Sequence, residues 1–218
     1  MDFKEILQFL EDLRKNNNRD WFLVNKSRYQ HAQEQFRLFI DLVIAELNRF
    51  DKDIGPQTAK DCVFRINRDV RFSNNKEPYK NNFGAFIAKG GRKSKYAGYY
   101  IHVEPEASFL GGGIYMPESP VLQTIRNHIY ENPDEFKQIL SNPSFHKYFK
   151  EIYGEKLTGT PKGFPKEFED IGLLKYKHYA VGYSVENAFW YSENLLEKVK
   201  YVFRSQYPFN TFLNIALE

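Results

Sequence analysis

The chain has 218 residues, of which 42% are hydrophobic, 17% aromatic and 27% charged, with a formal net charge of +3. Twenty Phe and 15 Tyr exclude a disordered chain, and the single cysteine, Cys62, excludes an internal disulfide or a multi-cysteine metal site. No apolar run approaches membrane-spanning length, and nothing resembles a leader segment, so a reducing, cytoplasmic setting is the default expectation.

The pattern along the chain predicts an α+β protein: an antiparallel sheet in the middle, packed by helices from the N- and C-terminal parts. We read residues 1–218 as a single domain with a helical part over 1–50, a strand-rich centre over 60–116 and a mainly helical part over 119–218. Asp2 followed by Glu5 is a helix-starting cap. Phe3, Ile6, Leu7, Leu10 and Leu13 then recur at helical spacing, and the Asn16–Asn18 run ends that helix. A second helix starts near Arg19 with an apolar stripe of Tyr29, Ala32, Phe36, Phe39, Ile40, Val43 and Leu47. Its length predicts a bend near Asn25 to Ser27. Trp21 and Phe22 read as core there, with Asn25 and Lys26 within possible reach of the basic segment that follows.

The stretch from Phe64 to Asn82, FRINRDVRFSNNKEPYKNN, concentrates the chemistry. It carries Arg65, Arg68, Arg71, Lys76 and Lys80 against Asp69 and Glu77, with Tyr79 among them. Guanidinium forks match phosphate and carboxylate oxygens. Val63–Ile66 and Val70–Phe72 read as short strands, Ser73–Asn75 as a turn, and Pro78 as the residue that orders the loop before Tyr79 and Lys80. From Arg65 to Lys95 there are more cations than acids, so basic charge is unevenly spread.

Strands follow at Phe83–Ala88, Gly98–Glu104 and Ala107–Tyr115. Alternation puts Tyr99, Ile101 and Val103 on one face and Tyr100, His102 and Glu104 on the other. Gly111–Gly113 predicts a bulge or a close approach by another element, and no phosphate-loop lysine follows it. Helices return at Ser119–Pro120, Asn132–Pro133 and Asn142–Pro143, each a capping residue before proline. A short helix over 168–174 leads to a strand over His178–Ser184. Ser192 opens a last helix, which Tyr207–Pro208 is expected to break.

At this point the motifs match a family. Asn18-Arg19-Asp20-Trp21-Phe22 with Asn25-Lys26 and Tyr29, Phe64-Arg65-Ile66 with Arg68 through Ser73, Lys76, Pro78-Tyr79-Lys80, Gly112 through Pro117, and Pro161 through Phe164 resemble the bacterial family known as domain of unknown function 2461. The resemblance covers nearly the whole chain. It implies a shared fold and a set of candidate residues, and no activity. Asn75 stands where the family often has Asp before the loop lysine, which argues against an obligatory carboxylate there.

The favoured expectation is a site for a small phosphorylated or nucleotide-like anion, in an enzyme or a sensor, held by Arg65, Arg68, Arg71, Lys76, Tyr79 and Lys80. Asp69, His102 and Glu104 are the candidates for acid–base work. The bland readings stand beside it: His102 as a satisfied strand histidine, Asp69 as a partner that orients guanidinium, and the arginines as structural ion pairs. The alternatives are a nucleic-acid-binding module, with Lys89, Arg92, Lys93 and Lys95 extending the basic strip and Tyr96, Tyr99 and Tyr100 stacking bases, and a structural or interaction domain. The cofactor is left unknown by the sequence, and neither a metal nor a membrane partner is expected. Lys162, Lys175 and Lys177 can approach the same site only if the C-terminal half folds over it.

Overall fold

In the computed structural model the described residues are 1–71 and 74–218. The expectations for Phe72 and Ser73 fall outside them. Helix α1 (Phe3–Lys15) starts where Asp2 accepts from the backbone N–H groups of Lys4 and Glu5, two donors a helix start leaves orphaned. Its buried side carries Phe3, Ile6, Leu7, Phe9, Leu10 and Leu13. Asn18 caps α2 (Arg19–Val24) by accepting from Trp21 N–H. The predicted bend falls at Asn25, whose side chain donates to the Trp21 carbonyl and so competes with the helix ladder. Helix α3 (Lys26–Leu47) then buries Ala32, Phe36, Phe39, Ile40, Val43, Ile44 and Leu47.

One turn of helix, α4 (Ala59–Cys62), stands just before the residues read as a strand. Thr58 and Asp61 form a reciprocal capping box that nucleates it. The strand expected over Val63–Ile66 reduces to a single bridge, Val63 to Ala85, with Phe64 N–H donating to the Gly84 carbonyl at 2.9 Å. Asn67 turns away to bridge Tyr79 instead.

Strands β1 (Phe83–Ile87), β2 (Gly98–Val103) and β3 (Phe109–Ile114) are followed by α5 (Ser119–Glu131), α6 (Pro133–Ser141), α7 (Pro143–Tyr148), the turn α8 (Ile171–Leu174), β4 (Tyr179–Ser184) and α9 (Leu195–Ile215). The sheet runs β1-β2-β3-β4, every pair antiparallel. Ile101 lies opposite Ala85 on one side and Leu110 on the other. With Phe83, Ile87, Tyr99, Val103, Tyr179 and Val181 these residues form the face packed against α3 and α9. Phe86, Tyr100, His102 and Phe109, at alternate positions, are only half-buried, and Gly182 and Ser184 are exposed. An antiparallel sheet tolerates this division because its second face needs no covering layer.

The triple glycine is a place of close approach, as its composition predicts. Gly112 has φ +147°, and a Cβ there would stand 1.9 Å from the Gly98 carbonyl oxygen. The same oxygen accepts from Gln206 and Asn210 of α9, each at 3.1 Å. One turn on, Asn214 accepts from Ala97 N–H at 2.7 Å. Helix α9 is not broken at Pro208. These amide bonds, and the buried Phe203, Phe209, Phe212 and Leu213, hold it continuous past the proline. At the sheet edges, Phe64 covers β1, and Tyr153 N–H donates to Ala180 of β4 at 2.7 Å.

One buried acid has a consequence for stability. Asp51 is buried and accepts from the Tyr99 hydroxyl at 2.8 Å. Burial pushes its pKa above the ordinary Asp value. The folded state therefore holds this proton more tightly than the unfolded chain. Its contribution is full below the ordinary Asp range, and stability is lost as pH rises through the folded value. Asp51→Asn keeps an oxygen for Tyr99 and carries no charge. It is expected to unfold at higher urea than the parent at neutral pH, with the difference vanishing below the ordinary Asp range. An equal difference at both pH values would refute this.

Candidate functional site

The basic segment folds back on itself. Arg68 N–H donates to the Pro78 carbonyl and Lys80 N–H to the Ile66 carbonyl, at 2.9 and 2.8 Å. These bonds set Arg65 and Arg68 on one arm beside Lys80 on the other. The Lys80 ammonium donates to the Arg65 carbonyl at 3.0 Å and sits 5.6 Å from the centre of the Phe64 ring. Burial pushes its pKa below the usual lysine value, and the charges of Arg65 and Arg68 push the same way. Arg68 donates to the Tyr79 carbonyl and lies 3.6 Å from Glu77. Arg65 is exposed, and its guanidinium makes no hydrogen bond or ion pair among the described residues. Three cations thus gather with Glu77 loosely placed beside Arg68 and with Asp69, itself held by Arg71, close enough to feel the Arg65 charge.

The other expected residues are placed differently. Arg71 is turned toward Asp69, with contacts of 3.0 and 2.7 Å. That guanidinium holds the Asp69 carboxyl at about 2, so Asp69 orients an arginine and is a poor base. The Lys76 ammonium closes the tip of the segment onto the Val70 carbonyl at 3.1 Å. Tyr79 is 8% exposed and stacks on Phe22 with ring centres 3.9 Å apart. Its ring is sealed against Phe22 and cannot stack on a ligand from there. Among the described residues neither Asn25 nor Lys26 bonds to the segment. Asn17 does, bonding the Tyr79 N–H and carbonyl and the Asn81 side chain at 3.1, 3.0 and 2.9 Å. In sequence Asn17 reads only as a helix stop, because 62 residues separate it from Tyr79.

Beyond Lys80 the chain enters β1, and alternation carries Asn82 onto the open sheet face. Asn82 Nδ2 is 3.4 Å from His102 Nδ1, and the Tyr100 hydroxyl is 3.0 Å from the same nitrogen. His102 Nε2 is 2.8 Å from Glu104 Oε2. A carboxylate can only accept, so Nε2 carries the proton, and in the neutral ring Nδ1 accepts from Tyr100. Phe109 stacks on His102 at 4.8 Å, and Phe64 meets Tyr100 edge-on at 6.3 Å. Gly84 makes the room, since a Cβ there would lie 2.7 Å from the Tyr100 oxygen. Burial, with the Glu104 charge, pushes the Tyr100 phenol up to about 12. Sequence alternation found His102 and Glu104. It also set Tyr100 on their face, but gave no sign of Asn82 or Gly84 as their partners.

The basic strip does not run unbroken from Arg65 to Lys95. Strand β1 lies between the two ends, a span of roughly 15 Å. At the far end Arg92 donates to the carbonyls of Lys60 and Asp61, while Lys89 and Lys95 lie over Tyr96. Tyr99 is fully buried and cannot stack on a base. Lys175 and Lys177 precede β4, at the opposite edge and end of the sheet from Lys80, where Lys177 pairs with Glu155. Lys162 is exposed near α5. Cys62 is buried, which pushes its thiol up to about 12. Among the described residues no group of three or more His, Cys, Asp and Glu is placed to hold a metal ion. Two surface grooves, ≈ 550 and ≈ 770 Å³, lie along α1, α3 and Trp190, away from the cations. Among the described residues no helix is long and apolar enough to cross a membrane.

A family model described as conserved hypothetical protein, domain of unknown function 2461, matches residues 5–212. The chain belongs to this family. No curated protein and no solved structure matches it.

Proposed function

We propose that in this member of the family the arm pair carrying Arg65, Arg68 and Lys80, with the open sheet face beside it, binds a small phosphorylated or nucleotide-like anion. The supporting observation is the imbalance of charge. The Arg65 guanidinium makes no hydrogen bond or ion pair among the described residues and feels the charge of Asp69, which Arg71 already holds, while the Lys80 ammonium lies on a backbone carbonyl next to two guanidinium groups. Cations crowded this way repel one another, and a bound anion would relieve the repulsion. Phe64 adjoins Lys80 and offers apolar surface for the rest of such a ligand. The buried, unpaired Cys62 fits the reducing cytoplasmic setting we propose with this reading.

Arg71 and Lys76, engaged at the tip, are assigned to shaping the segment. The reading predicts that inorganic phosphate, nucleotides or phosphorylated sugars raise the unfolding temperature. A ligand at a hundred times its Kd adds about 2.7 kcal/mol. Arg65→Ala and Lys80→Ala together should abolish the shift while the ligand-free protein unfolds close to the parent. No shift with any of these ligands sinks the proposal. Binding only to long single strands, falling steeply with salt, would replace the small anion by a nucleic acid.

A further inference from the structure

We propose that Lys80 is a nucleophile, and that it forms an imine with the carbonyl carbon of a phosphorylated aldehyde or ketone whose phosphate is held by Arg65. This rests on the anion site described above and names the class of ligand that site would take.

The argument begins with where the ammonium is kept. The two arms cross at Lys80, whose N–H donates to the Ile66 carbonyl while its side chain reaches Arg65 on the facing arm. Nζ donates to the Arg65 carbonyl at 3.0 Å and lies 5.6 Å from the centre of the Phe64 ring. Among the described residues no carboxylate pairs with it. Glu77 stands beside Arg68 at 3.6 Å, and Asp69 is held by Arg71 at 2.7 Å. A lysine that only attracts anions works as a well-hydrated point charge. Lys80 is set where charge is disfavoured: half-buried, against an apolar ring, and close enough to Arg65 and Arg68 to feel both charges.

Arginine does not yield its proton in such a cluster, so the lysine is the group that does. Burial first, and then the two guanidinium charges, hold its pKa below the usual lysine value, which enlarges the neutral fraction at neutral pH. A lysine desolvated beside other cations is a recurrent way to make an amine nucleophilic. The bond to the Arg65 carbonyl takes one N–H, so the lone pair of the neutral amine points away from that oxygen.

The same neighbours select the electrophile. Arg65 is exposed, and its guanidinium makes no hydrogen bond or ion pair among the described residues, so it is open to a phosphate. One residue thus holds the amine through its backbone and faces the phosphate with its side chain. Before a ligand arrives, the surrounding cations favour the neutral amine. The phosphate then brings negative charge, which favours the cationic iminium that forms.

The step balances with water as its only other product. The ammonium first gives up one proton. The amine lone pair forms a bond to the carbonyl carbon, and the carbonyl π pair moves onto oxygen, which takes a proton from the nitrogen. The proton released at the start returns to that hydroxyl, the carbon–oxygen bond breaks, and water leaves as the nitrogen lone pair closes the C=N bond.

The test uses pyridoxal phosphate, pyridoxal and glyceraldehyde phosphate with the full chain. Borohydride reduction fixes any imine, and peptide mass mapping locates it. At equimolar aldehyde, Lys80 should carry most of the label, and pyridoxal should label it about ten-fold less than its phosphate. Inorganic phosphate should protect Lys80 and leave labelling elsewhere unchanged. Labelling of Lys80 should rise at lower pH than labelling of free Nα-acetyl-lysine in the same solution. Lys80→Arg should remove the selective adduct, and Arg65→Ala should weaken labelling about ten-fold. A parent whose unfolding temperature rises with inorganic phosphate, yet which carries no selective label at Lys80, overturns this inference and leaves the anion site standing. Equal labelling by pyridoxal and its phosphate also overturns it. Absence of any phosphate response, by thermal shift or by protection, overturns both.

Discussion

Gly112→Ala should destabilise the protein by at least about 3 kcal/mol, enough to leave much of it unfolded at moderate temperature. The added Cβ would stand 1.9 Å from the Gly98 oxygen and 2.5 Å from the Gln206 amide nitrogen, at a φ of +147° that side chains rarely adopt. Neither neighbour can yield cheaply. The Gly98 oxygen is the acceptor that Gln206 and Asn210 share, so pushing it away loosens α9 from β2. Gly159→Ala is the control, because nothing lies within 4 Å of its Cβ position. That change should stay within about 0.5 kcal/mol of the parent. Urea midpoints for the two variants decide the matter, and a Gly112→Ala midpoint equal to that of the control would mean the close approach does not exist.

Phe83→Ala should cost about 3–5 kcal/mol. Phe83 is 2% exposed and packs against Phe9, Tyr29 and Phe36, with ring centres at 6.4, 6.2 and 5.5 Å. It is the residue through which α1, α3 and β1 meet, so its loss opens a cavity that three elements would have to close together. It also follows Asn82 directly, so if the proposed anion site binds phosphate, a loosened β1 should weaken that binding. Phe109→Ala, from the half-exposed face, should cost about 1 kcal/mol. Equal losses for the two would show that the faces are not divided as described.

Much of this architecture is written in local pattern. The caps at Asp2 and Asn18, the break at Asn25 and the alternation in β2 are properties of a few neighbouring residues, and they appear where local physics puts them. What local pattern misses is competition at a distance. Val63–Ile66 has strand composition, yet Thr58 and Asp61 place a helical turn just before it and Asn67 leaves for Tyr79. Pro208 is a breaker in isolation, but the bonds from Gln206, Asn210 and Asn214 to β2 and its approach hold the helix through it. The site follows the same rule. Its arginines stand out by composition, and His102 and Glu104 by alternation. That Tyr79 is sealed under Phe22, that Asn17 holds the arms, and that β1 divides the basic strip are matters of packing between remote segments. No count of charge along the chain contains them.

The two outer strands of the sheet do not present bare rims. The β1 rim is occupied by the stretch around Val63 and Phe64, and the β4 side by the stretch from Tyr153 to Leu157, which also bonds Lys175 and Lys177. An incoming peptide would have to peel away one of these native segments before it could add itself as a fifth strand. Crowding or heating short of unfolding should therefore not seed fibrous, strand-to-strand polymers, even though one face of the sheet is only half-buried.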